Sequence, residues 1–462
     1  METSAADLQA DVVVIGLGPG GEALATGAAN AGKRVVAIDR HLVGGECPYY
    51  GCIPTKMMVR AAGTLAEARY AGELAGEVTL TPDWTPVAHR ISAEATTGWD
   101  DEIAVRRLQD AGAEVLHGVA RLAGPGRVEV TTPDGEVRTI EADDVVLNTG
   151  TRPAAPPIPG LAGTPYWTNR DAVRVSELPE SLAIIGGGPI GCELAQVFAR
   201  FGVAVTLIQH GPRLLPADEP EAADLLADVL ADDGVRVLTS ATTEAVDYAG
   251  GLFTLTVDGE EVPVDRLLIA AGRTPNLDDL GLETVGLDPH QRTLDVDDRM
   301  RVPGAPGLWA IGDITGHGAF THVSMYQSAI ALRGLLDAEG PAAAYHAVPH
   351  VTFTDPEVGG VGLTERAARE AGLNVRVGRA DLGASSRGFT HGPGGRGLVT
   401  VVEDADRGVL VGACVVGPAG GEILGALAVA VHAGVPVDVL GTMIYAYPTF
   451  HRAIETAVGG LR

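Results

Sequence analysis

Two stretches of the chain share one order of apolar, glycine-rich and helical residues. In the first, the β-branched apolar run Val12–Ile15 leads directly into the turn GLGPGG at residues 16–21. An alanine-rich helical stretch follows, and a second apolar run then ends at Asp39. A strand, a glycine turn, a helix and a strand within about 30 residues predict a βαβ unit.

The same pattern returns 170 residues later, counted from Gly16 to Gly186. The apolar run Leu182–Ile185 precedes the turn GGGPIG, a helical stretch follows, and the next apolar run ends at Gln209. Glycines in such a turn let the backbone approach a pyrophosphate, and the N-terminus of the following helix stabilises the negative charge. The chain is therefore predicted to carry two nucleotide-binding units.

The remaining pattern is less regular. Residues 55–111 are predicted to be mostly helical, and residues 127–140 are predicted to form two strands joined at an Asp134-Gly135 turn. The proline-rich stretch 153–159 is typical of a crossover between domains. Beyond residue 345 the pattern predicts alternating strands with two helices, and the Gly- and Ser-rich stretch 383–397 predicts a loop.

Composition narrows the classes of function. The chain has 462 residues, enough for about three domains of ~150 residues each. Its 60 acidic and 33 basic residues give a net charge of −27, which disfavours binding to nucleic acid or to an anionic membrane. Four cysteines are too few for a disulfide scaffold. The first apolar run is too short for a signal peptide or a membrane span, so we expect a cytoplasmic protein.

Two of the four cysteines lie close together after the first βαβ unit. Cys47 and Cys52 are flanked by glycines in the stretch GGECPYYGCIPTK, which ends at Lys56. A metal site would need further Cys or His ligands at short spacing, and the sequence shows no such cluster, so the pair is predicted to be redox-active and no metal is expected. Pro54 suits the first turn of a helix, which would place Cys52 near a helix N-terminus and favour its thiolate.

The two βαβ units differ in the residue that ends the second strand. Asp39 offers a carboxylate to a ribose diol in the first unit. Gln209, followed by His210, takes that place in the second unit, and Arg213 is close by in sequence. Without a carboxylate, a 2′-phosphate is not repelled, so the second unit favours NADPH over NADH. The alternative is that Gln209 binds the NADH diol as a neutral group.

Many ordered motifs together resemble the FAD-dependent pyridine nucleotide-disulfide oxidoreductases, the family of glutathione reductase, dihydrolipoamide dehydrogenase and mercuric reductase. Besides the two glycine turns and the cysteine segment, the resemblance rests on NTGTRP at 148–153, AAGRTPN at 270–276, WAIGD at 309–313, FTDPE at 353–357 and VGLTE at 361–365. It covers nearly the whole chain. The family implies an α/β fold with two Rossmann-like nucleotide-binding domains and a C-terminal α+β dimerisation domain.

The resemblance also implies domain boundaries and cofactors. The expected domains are residues 1–155 and 276–345 for the two parts of the FAD-binding domain, 156–275 for the NAD(P)-binding domain and 346–462 for dimerisation. FAD and NADPH or NADH are the implied cofactors, and a homodimer is the implied assembly. The residues expected to bind FAD are Gly16, Gly18, Gly21, Asp39, Lys56, Gly118, Thr149, Gly150, Asp313, Phe320, Thr321 and His322, and Gly45, Gly272 and Arg273 are expected to bind a cofactor. Those expected at the nicotinamide nucleotide are Gly186, Gly188, Gly191, Gln209 and His210.

Catalytic roles follow from the same resemblance. Cys52 corresponds to the thiolate that contacts the flavin, and Cys47 to the thiol that attacks the substrate disulfide. Lys56 and Glu193 correspond to the pair that flanks the flavin ring where hydride arrives. Cys192 and Cys414 are predicted to be packing residues.

The C-terminal active-site motif departs from the family pattern. The lipoamide and glutathione enzymes carry His-Pro-Thr-x-x-Glu, whereas here Tyr447 replaces the histidine and Arg452 replaces the glutamate. A tyrosine hydroxyl is a poor base at neutral pH but can donate a proton to a leaving thiolate. His451 and Glu455, at i and i+4, offer a displaced dyad. The alternatives are that Tyr445 and Tyr447 donate hydrogen bonds to a different substrate, or that His451 has no catalytic part.

The sequence therefore leaves three hypotheses for function. The first is reduction of a small-molecule disulfide through Cys47 and Cys52. The second is NAD(P)H-dependent reduction of quinones, metal ions or other acceptors, which would explain the missing dyad. The third is a redox sensor or a subunit of a complex, against which the intact cysteine pair and Lys56 argue.

Overall fold

The computed structural model describes residues 8–462 of the chain. Its strands are β1 Leu8–Ile15, β2 Val35–Asp39, β3 Glu114–His117, β4 Val119–Leu122, β5 Arg127–Thr131, β6 Val137–Leu147, β7 Thr151–Pro153, β8 Ser181–Ile185, β9 Ala204–Ile208, β10 Arg236–Leu238, β11 Thr243–Ala249, β12 Leu252–Val257, β13 Glu260–Val264, β14 Arg266–Ile269, β15 Arg273–Pro275, β16 Leu308–Ala310, β17 Pro349–Thr352, β18 Glu357–Gly362, β19 Val375–Asp381, β20 Leu398–Asp404 and β21 Val409–Gly417.

The helices complete the set of elements. They are α1 Pro19–Asn30, α2 Glu46–Tyr49, α3 Cys52–Leu74, α4 Thr85–His89, α5 Glu102–Asp110, α6 Asn169–Ala172, α7 Pro189–Arg200, α8 Pro220–Asp232, α9 Thr321–Leu335, α10 Glu365–Glu370, α11 Ser386–His391, α12 Gly420–Ala433, α13 Val437–Thr442 and α14 Ala453–Gly459. A π-helical turn spans Arg90–Ala95, and 3₁₀ turns span Leu282–Val285, Gly312–Thr315 and Phe450–Arg452.

The chain divides into two compact units. The first comprises the described residues up to Pro54 with Ile91–Pro153 and Arg273–Tyr345. Its main sheet has the order β3-β2-β1-β6-β5-β4, with β16 also paired to β6. Strands β1, β2, β3, β6 and β16 are parallel. Residues of β1 are buried alternately in two separate apolar clusters, because a parallel sheet of this kind is covered on both faces.

The second unit comprises Thr55–Arg90, Ala154–Gly272 and His346–Arg462. It contains a parallel sheet of order β10-β9-β8-β14, an antiparallel sheet β11-β12-β13 and a five-stranded antiparallel sheet β17-β18-β21-β20-β19. Apolar residues of α12 and α14 pack with those of β20 and β21 in one core cluster. The βαβ order predicted around each glycine turn is confirmed, since β1-α1-β2 and β8-α7-β9 follow it.

The prediction that residues 55–111 are mostly helical is confirmed by α3, α4, the π-helical turn and α5. Residues 75–84 are not helical, because this stretch contains β-branched residues, Pro82 and a glycine, Gly76, at φ +140°. Two other local predictions were wrong. The predicted loop 383–397 contains α11, whose first turn is capped by the Ser385 hydroxyl accepting from the Gly388 N–H at 3.0 Å. Residues 346–462 form five helices rather than two.

In residues 8–462, no helix is both long and apolar enough to cross a membrane.

Candidate active site

The first glycine turn is fixed by the strands around it. Gly16 has a φ of +93°, and a side chain there would collide with the carbonyl oxygen of Asn148. The Asn148 side-chain amide donates to the Gly16 carbonyl at 3.0 Å. Helix α1 begins at Pro19, behind Gly18, and no side chain caps it there. The N–H groups of its first turn can therefore bind an external anion, as a pyrophosphate would require.

Asp39 ends β2 beside this turn. Its Oδ2 accepts from the Leu17 N–H and its Oδ1 from the His41 N–H, both at 2.7 Å. Burial raises the pKa of the Asp39 carboxyl, and the two backbone hydrogen bonds oppose that rise. Each carboxylate oxygen has a second lone pair, so Asp39 keeps acceptors for a ribose diol.

Two more of the predicted glycines allow close backbone approach. A side chain at Gly21 would collide with the Gly16 carbonyl oxygen. A Cβ at Gly45, where φ is +70°, would lie 2.8 Å from the Cα of Gly18. The backbone segments around the turn can therefore pack this closely only because these positions lack side chains. These residues fit the adenosine diphosphate part of FAD.

Backbone contacts also fix the expected flavin-lining segment after β6. The Thr149 hydroxyl donates to the Asn276 carbonyl at 2.8 Å, and the Asn276 side-chain amide donates back to the Thr149 carbonyl at 2.9 Å. The Gly150 carbonyl accepts from the Asn276 N–H at 2.9 Å, and Gly150 has a φ of +62° with open space beside its Cα. The Gly118 N–H donates to the Asp39 carbonyl at 2.9 Å.

A chain of polar contacts connects Asp313 to the cysteine segment. The Thr151 hydroxyl donates to Asp313 Oδ2 at 2.7 Å, and Arg273 Nε donates to Thr151 Oγ1 at 2.6 Å. The same Arg273 guanidinium lies 3.4 Å from the Glu46 carboxylate, one residue before Cys47. Arg273 therefore connects Asp313, through the Thr151 hydroxyl, to Glu46. Asp313 keeps its other carboxylate oxygen for a ligand.

The two cysteines occupy the positions that the sequence predicts. Cys47 lies in α2, and Cys52 is the first residue of α3, so its predicted place at a helix N-terminus is confirmed. Both side chains are half-buried. Cys52 Sγ lies 3.5 Å from the hydroxyl of Thr321, the first residue of α9. A helix N-terminus and a hydroxyl neighbour both favour a thiolate at Cys52.

Two aromatic rings flank Thr321 in the sequence. The rings of Phe320 and His322 are stacked, with centroids 5.2 Å apart and an interplanar angle of 12°. The structure thus brings these three expected flavin-lining residues and Cys52 together at the start of α9.

The second glycine turn has the same construction as the first. A side chain at Gly186, where φ is +116°, would collide with the Ala270 carbonyl oxygen, and one at Gly191 would collide with the Gly186 carbonyl oxygen. Helix α7 begins at Pro189 behind Gly188, which has open space around it and no side-chain cap. This N-terminus is again suited to a pyrophosphate.

Gln209 supports this second turn. Its Oε1 accepts from the Gly187 N–H at 2.8 Å, and its side-chain NH₂ group is not used in that bond. His210 is exposed, and Arg213 Nε forms an exposed ion pair with Asp224 at 3.0 Å. Gly272, which follows β14, has a φ of +119°.

Lys56 and Glu193 form an ion pair inside the second unit. Lys56 Nζ lies 2.7 Å from Glu193 Oε2 and 2.9 Å from Oε1. The Glu193 side chain is 4% exposed and that of Lys56 is 34% exposed. The Phe353 N–H donates to Glu193 Oε1 at 2.9 Å, and Lys56 Nζ lies 4.7 Å from the centre of the Phe353 ring. The buried carboxylate is thus satisfied by two separate donors.

The displaced dyad predicted from His451 and Glu455 does not form. His451 lies in the 3₁₀ turn Phe450–Arg452, whereas the Glu455 carboxylate pairs with Arg452 at 2.9 Å. The centres of the His451 and Tyr445 rings lie 6.0 Å apart, and the two rings are tilted relative to each other. Sequence spacing missed this because Glu455 also lies at i+3 from Arg452, and a guanidinium binds a carboxylate through charge-assisted hydrogen bonds.

The two tyrosines have different environments. Tyr447 is 69% exposed, and its hydroxyl donates to Ser386 Oγ at 3.1 Å, while the Arg452 guanidinium lies 5.6 Å from its ring centre. Tyr445 is buried, and its hydroxyl donates to the Leu440 carbonyl at 3.0 Å. Burial raises the pKa of the Tyr445 hydroxyl. Both hydroxyls donate within the chain, but of the two residues only Tyr447 is exposed.

Cys192 and Cys414 are buried packing residues. Cys192 lies in the first turn of α7 and Cys414 in the middle of β21. Burial raises the pKa of both thiols well above the usual range. Such thiols are poor nucleophiles at neutral pH. Within the described residues, no group of three or more His, Cys, Asp or Glu side chains is arranged to hold a metal ion.

The sequence missed several residues that organise the site. Thr151 and Glu46 join the Asp313 network, and Phe353 contacts both members of the Lys56–Glu193 pair. Thr151 lies in the NTGTRP motif and Phe353 in FTDPE, so the signal was present in the motifs. Their roles depend on contacts over more than 100 residues of sequence, which spacing does not reveal.

Comparison with known proteins identifies the family. Residues 10–347 match the model of the pyridine nucleotide-disulphide oxidoreductases, and residues 348–458 match the dimerisation domain of the same group. A dihydrolipoyl dehydrogenase from Thermus scotoductus is 37% identical over 471 aligned positions, covering 98% of this chain and 97% of the relative. A mercuric reductase from Streptomyces lividans is 35% identical, covering 97% and 95%.

Solved structures agree with this match. The Cu(II) complex of the HOCl-induced flavoprotein disulfide reductase RclA from Escherichia coli has a TM-score of 0.86 at 29% identity, covering 98% of this chain and 99% of that one. LpdA from Mycobacterium tuberculosis has a TM-score of 0.86 at 27% identity, with the same coverage. The predicted α/β fold class with a C-terminal dimerisation domain is thereby confirmed, and so are FAD and NAD(P)H as the cofactors of the family.

Proposed function

Because the chain belongs to the pyridine nucleotide-disulphide oxidoreductases, enzymes that pass electrons from NAD(P)H through FAD to a disulfide, we propose that it reduces a small-molecule disulfide through Cys47 and Cys52. The observation that carries this proposal is the position of Cys52. It is the first residue of α3, and its Sγ lies 3.5 Å from the Thr321 hydroxyl at the first residue of α9. Both features favour a thiolate at that sulfur.

The residues present fit the two cofactors. Bound FAD supplies two-electron transfer between a nicotinamide and a disulfide. Gly16, Gly18, Gly21, Gly45 and Asp39 would hold its adenosine diphosphate part. The Asp313 network, Gly118, Thr149, Gly150 and the segment Phe320–His322 would hold the remainder. Gly186, Gly188, Gly191 and Gln209 would hold the nicotinamide nucleotide, and Lys56 with Glu193 would flank the position where hydride arrives.

The protein's own chemistry then takes two thiol–disulfide exchanges. The Cys47 thiolate of the reduced pair attacks one sulfur of the substrate disulfide, which forms a mixed disulfide and releases the first substrate thiolate. The Cys52 thiolate attacks Cys47 Sγ, releases the second thiolate and restores the Cys47–Cys52 disulfide. Two electrons leave the protein, and two protons convert the released thiolates to thiols. The exposed Tyr447 hydroxyl is the donor that we assign to the leaving sulfur.

The assembly that we propose is a homodimer, which the matched dimerisation domain supports. We assign Tyr447 and His451 to the active site that contains the partner subunit's Cys47. Specific activity should then fall on dilution as the dimer dissociates. Constant specific activity across the dimer–monomer transition, measured by sedimentation at the same concentrations, would contradict this assignment. A cytoplasmic location stays a prediction.

For the nucleotide, we propose that NADPH is preferred. Gln209 and the exposed His210 directly follow β9, where a carboxylate would repel a 2′-phosphate, and Arg213 remains exposed although it pairs with Asp224. The measurement is kcat/KM with each nucleotide under the same conditions. A strong preference for NADH would refute the proposal and would assign Gln209 to the ribose diol.

The test of the main proposal uses Cys47→Ser in the FAD-loaded enzyme. It should abolish disulfide reduction while leaving reduction of the bound flavin by NAD(P)H in place. Cys414→Ala is the matched control, because it removes a buried thiol that has no place in the exchange. Anaerobic titration with NADPH should also produce a long-wavelength charge-transfer band, which Cys52→Ser should abolish. Absence of the band in the unmodified enzyme would refute the redox pair.

A second candidate function is reduction of a quinone or a metal ion without disulfide exchange. It is favoured by the C-terminal motif, in which Tyr447 replaces the usual histidine and Glu455 is paired with Arg452. The same Cys47→Ser variant separates the two functions. If Cys47→Ser still reduces quinones, and the wild-type enzyme does not turn over small disulfides, the second function is supported over the first.

A further inference from the structure

One face of α7 carries three buried polar side chains. As whole residues, Glu193, Gln196 and Arg200 are each 3% exposed. Their spacing of three and four residues places them on one side of the helix. Buried polar and charged groups are costly unless each has a partner. The partners of this stripe therefore show what the helix face is built to hold.

All three side chains bind the segment Phe353–Asp355, which follows β17. Glu193 Oε1 accepts from the Phe353 N–H at 2.9 Å. Gln196 makes a two-way contact with Asp355, accepting from its N–H and donating to its carbonyl, both at 2.7 Å. Arg200 donates to the Asp355 carboxylate at 2.8 Å. The segment is thus fixed to α7 at both of its ends.

Phe353 contacts both members of the Lys56–Glu193 pair by different means. Its backbone N–H binds the carboxylate, and its ring lies 4.7 Å from Lys56 Nζ. The face of an aromatic ring attracts a cation. The ring therefore limits where the ammonium can lie, while the N–H limits where the carboxylate can lie.

We propose that the segment Phe353–Asp355 positions the Lys56–Glu193 pair, with Phe353 as the residue that acts on both partners. This inference rests on the proposed function only where it assigns that pair to the step in which NAD(P)H reduces the flavin. It predicts that changes in Phe353 slow this step and leave the later exchange with substrate disulfide unaltered. Phe353 is a positioning residue, because it acts through Lys56 and Glu193.

The variant that tests the ring is Phe353→Leu, which keeps the backbone N–H and most of the apolar volume. Phe353→Tyr keeps the aromatic face and should behave as wild type. Phe201→Leu is the matched control: Phe201 is also half-buried in the same unit, at the end of α7, and it packs on Trp84 with ring centroids 5.0 Å apart. Gln196→Met loosens the other end of the segment without touching the pair.

The first measurement uses the FAD-loaded protein and needs no turnover. The chain has only two lysines, so Lys33 is an internal reference for amine acetylation followed by mass spectrometry. Loss of the ring should raise the acetylation rate of Lys56 relative to Lys33 by ~2- to 30-fold, the range of exposed to desolvated cation–π contacts. Gln196→Met should raise it in the same direction, and Phe353→Tyr and Phe201→Leu should not. An unchanged Lys56 rate in Phe353→Leu and Gln196→Met would overturn the proposal.

The second measurement follows the FAD-loaded enzyme by rapid mixing. Phe353→Leu should slow flavin bleaching by NAD(P)H by ~2- to 30-fold, with the same rate of reoxidation by disulfide. Faster labelling of Lys56 without slower bleaching would overturn the positioning role. The variant Lys56→Met distinguishes the function assigned to the Lys56–Glu193 pair from the positioning of that pair by Phe353. If that variant bleaches at the wild-type rate, the function assigned to the pair fails, and the acetylation rates alone decide whether Phe353 positions it.

Discussion

Arg200 provides the most direct test of how the buried stripe on α7 contributes to stability. Its side chain is 2% exposed and makes ion pairs with Asp233 at 3.0 Å and with Asp355 at 2.8 Å. Arg200→Met removes the charge and keeps most of the apolar volume. The two carboxylates then lose their shared cation, and the Asp355 carbonyl loses a second donor at 3.4 Å.

The magnitude follows from burial. Removing one partner of a buried ion pair costs about 3–5 kcal/mol, because the remaining charge is left uncompensated. Here the carboxylates are 14% and 32% exposed, so water reaches them in part, and we expect the lower end, about 3 kcal/mol. Arg200→Lys keeps the charge but cannot bind both carboxylates in the same planar geometry, so its cost should be smaller than that of Arg200→Met.

The assay is urea unfolding of the FAD-loaded dimer, followed by far-UV circular dichroism. Arg106→Met is the matched control, because Arg106 pairs with Glu102 on the surface with both side chains more than 60% exposed, and its loss should have little effect. If Arg200→Met shifts the urea midpoint no more than Arg106→Met, then the stripe does not hold its segment through charge. That result would refute the reasoning for the whole stripe.

Four further variants probe the C-terminal motif and one buried carboxyl. Tyr445→Phe should cost about 1 kcal/mol of unfolding free energy, because its hydroxyl is bonded inside the core, and should leave turnover unchanged, whereas Tyr447→Phe should slow disulfide reduction. Tyr447→His with Arg452→Glu rebuilds the family's dyad and should raise the rate of NAD(P)H oxidation with lipoamide; an unchanged rate would mean that the dyad alone does not limit this substrate. Burial raises the pKa of Glu357 above 4.5, so the folded protein holds that proton to higher pH than the unfolded chain, and wild-type stability relative to Glu357→Gln should fall as pH rises above ~4.5. A pH-independent difference between these two proteins in urea unfolding would contradict the sign.

Local signals in the sequence predicted the parts of the site that local geometry builds. The order of strand, glycine turn and helix, the helix that begins at Cys52 and the burial of Cys414 within an apolar strand are each visible in the residues that adjoin them in sequence. The α7 stripe could not be predicted in this way. Residues at i, i+3 and i+7 with polar side chains normally indicate the solvent face of a helix, and here they are buried because a segment 160 residues away in sequence covers Glu193.

The C-terminal motif shows a different limit. Sequence spacing places Glu455 within about one helical turn of both His451 and Arg452, but it does not show which of the two binds the carboxylate. In the structure the Glu455 carboxylate pairs with the charged guanidinium of Arg452. Arg452, which stands in place of the glutamate, also lies 5.6 Å from the ring centre of Tyr447, which stands in place of the histidine, so the two departures from the family motif are in contact.

The two glycine turns show what kind of difference separates the nucleotide sites. At the end of β2, Asp39 accepts a hydrogen bond from the N–H of Leu17 at 2.7 Å. Directly after β9, Gln209 accepts one from the N–H of Gly187 at 2.8 Å. In both cases the donor belongs to the glycine turn and lies 22 residues earlier in the sequence. The first glycine N–H of each turn also donates to the penultimate or last residue of that strand at 2.8 Å. The local geometry is thus the same, and the difference between the sites is one of charge. A carboxylate placed there by Gln209→Glu should therefore disfavour NADPH, and this effect should weaken as ionic strength rises, because salt screens the repulsion between two negative charges.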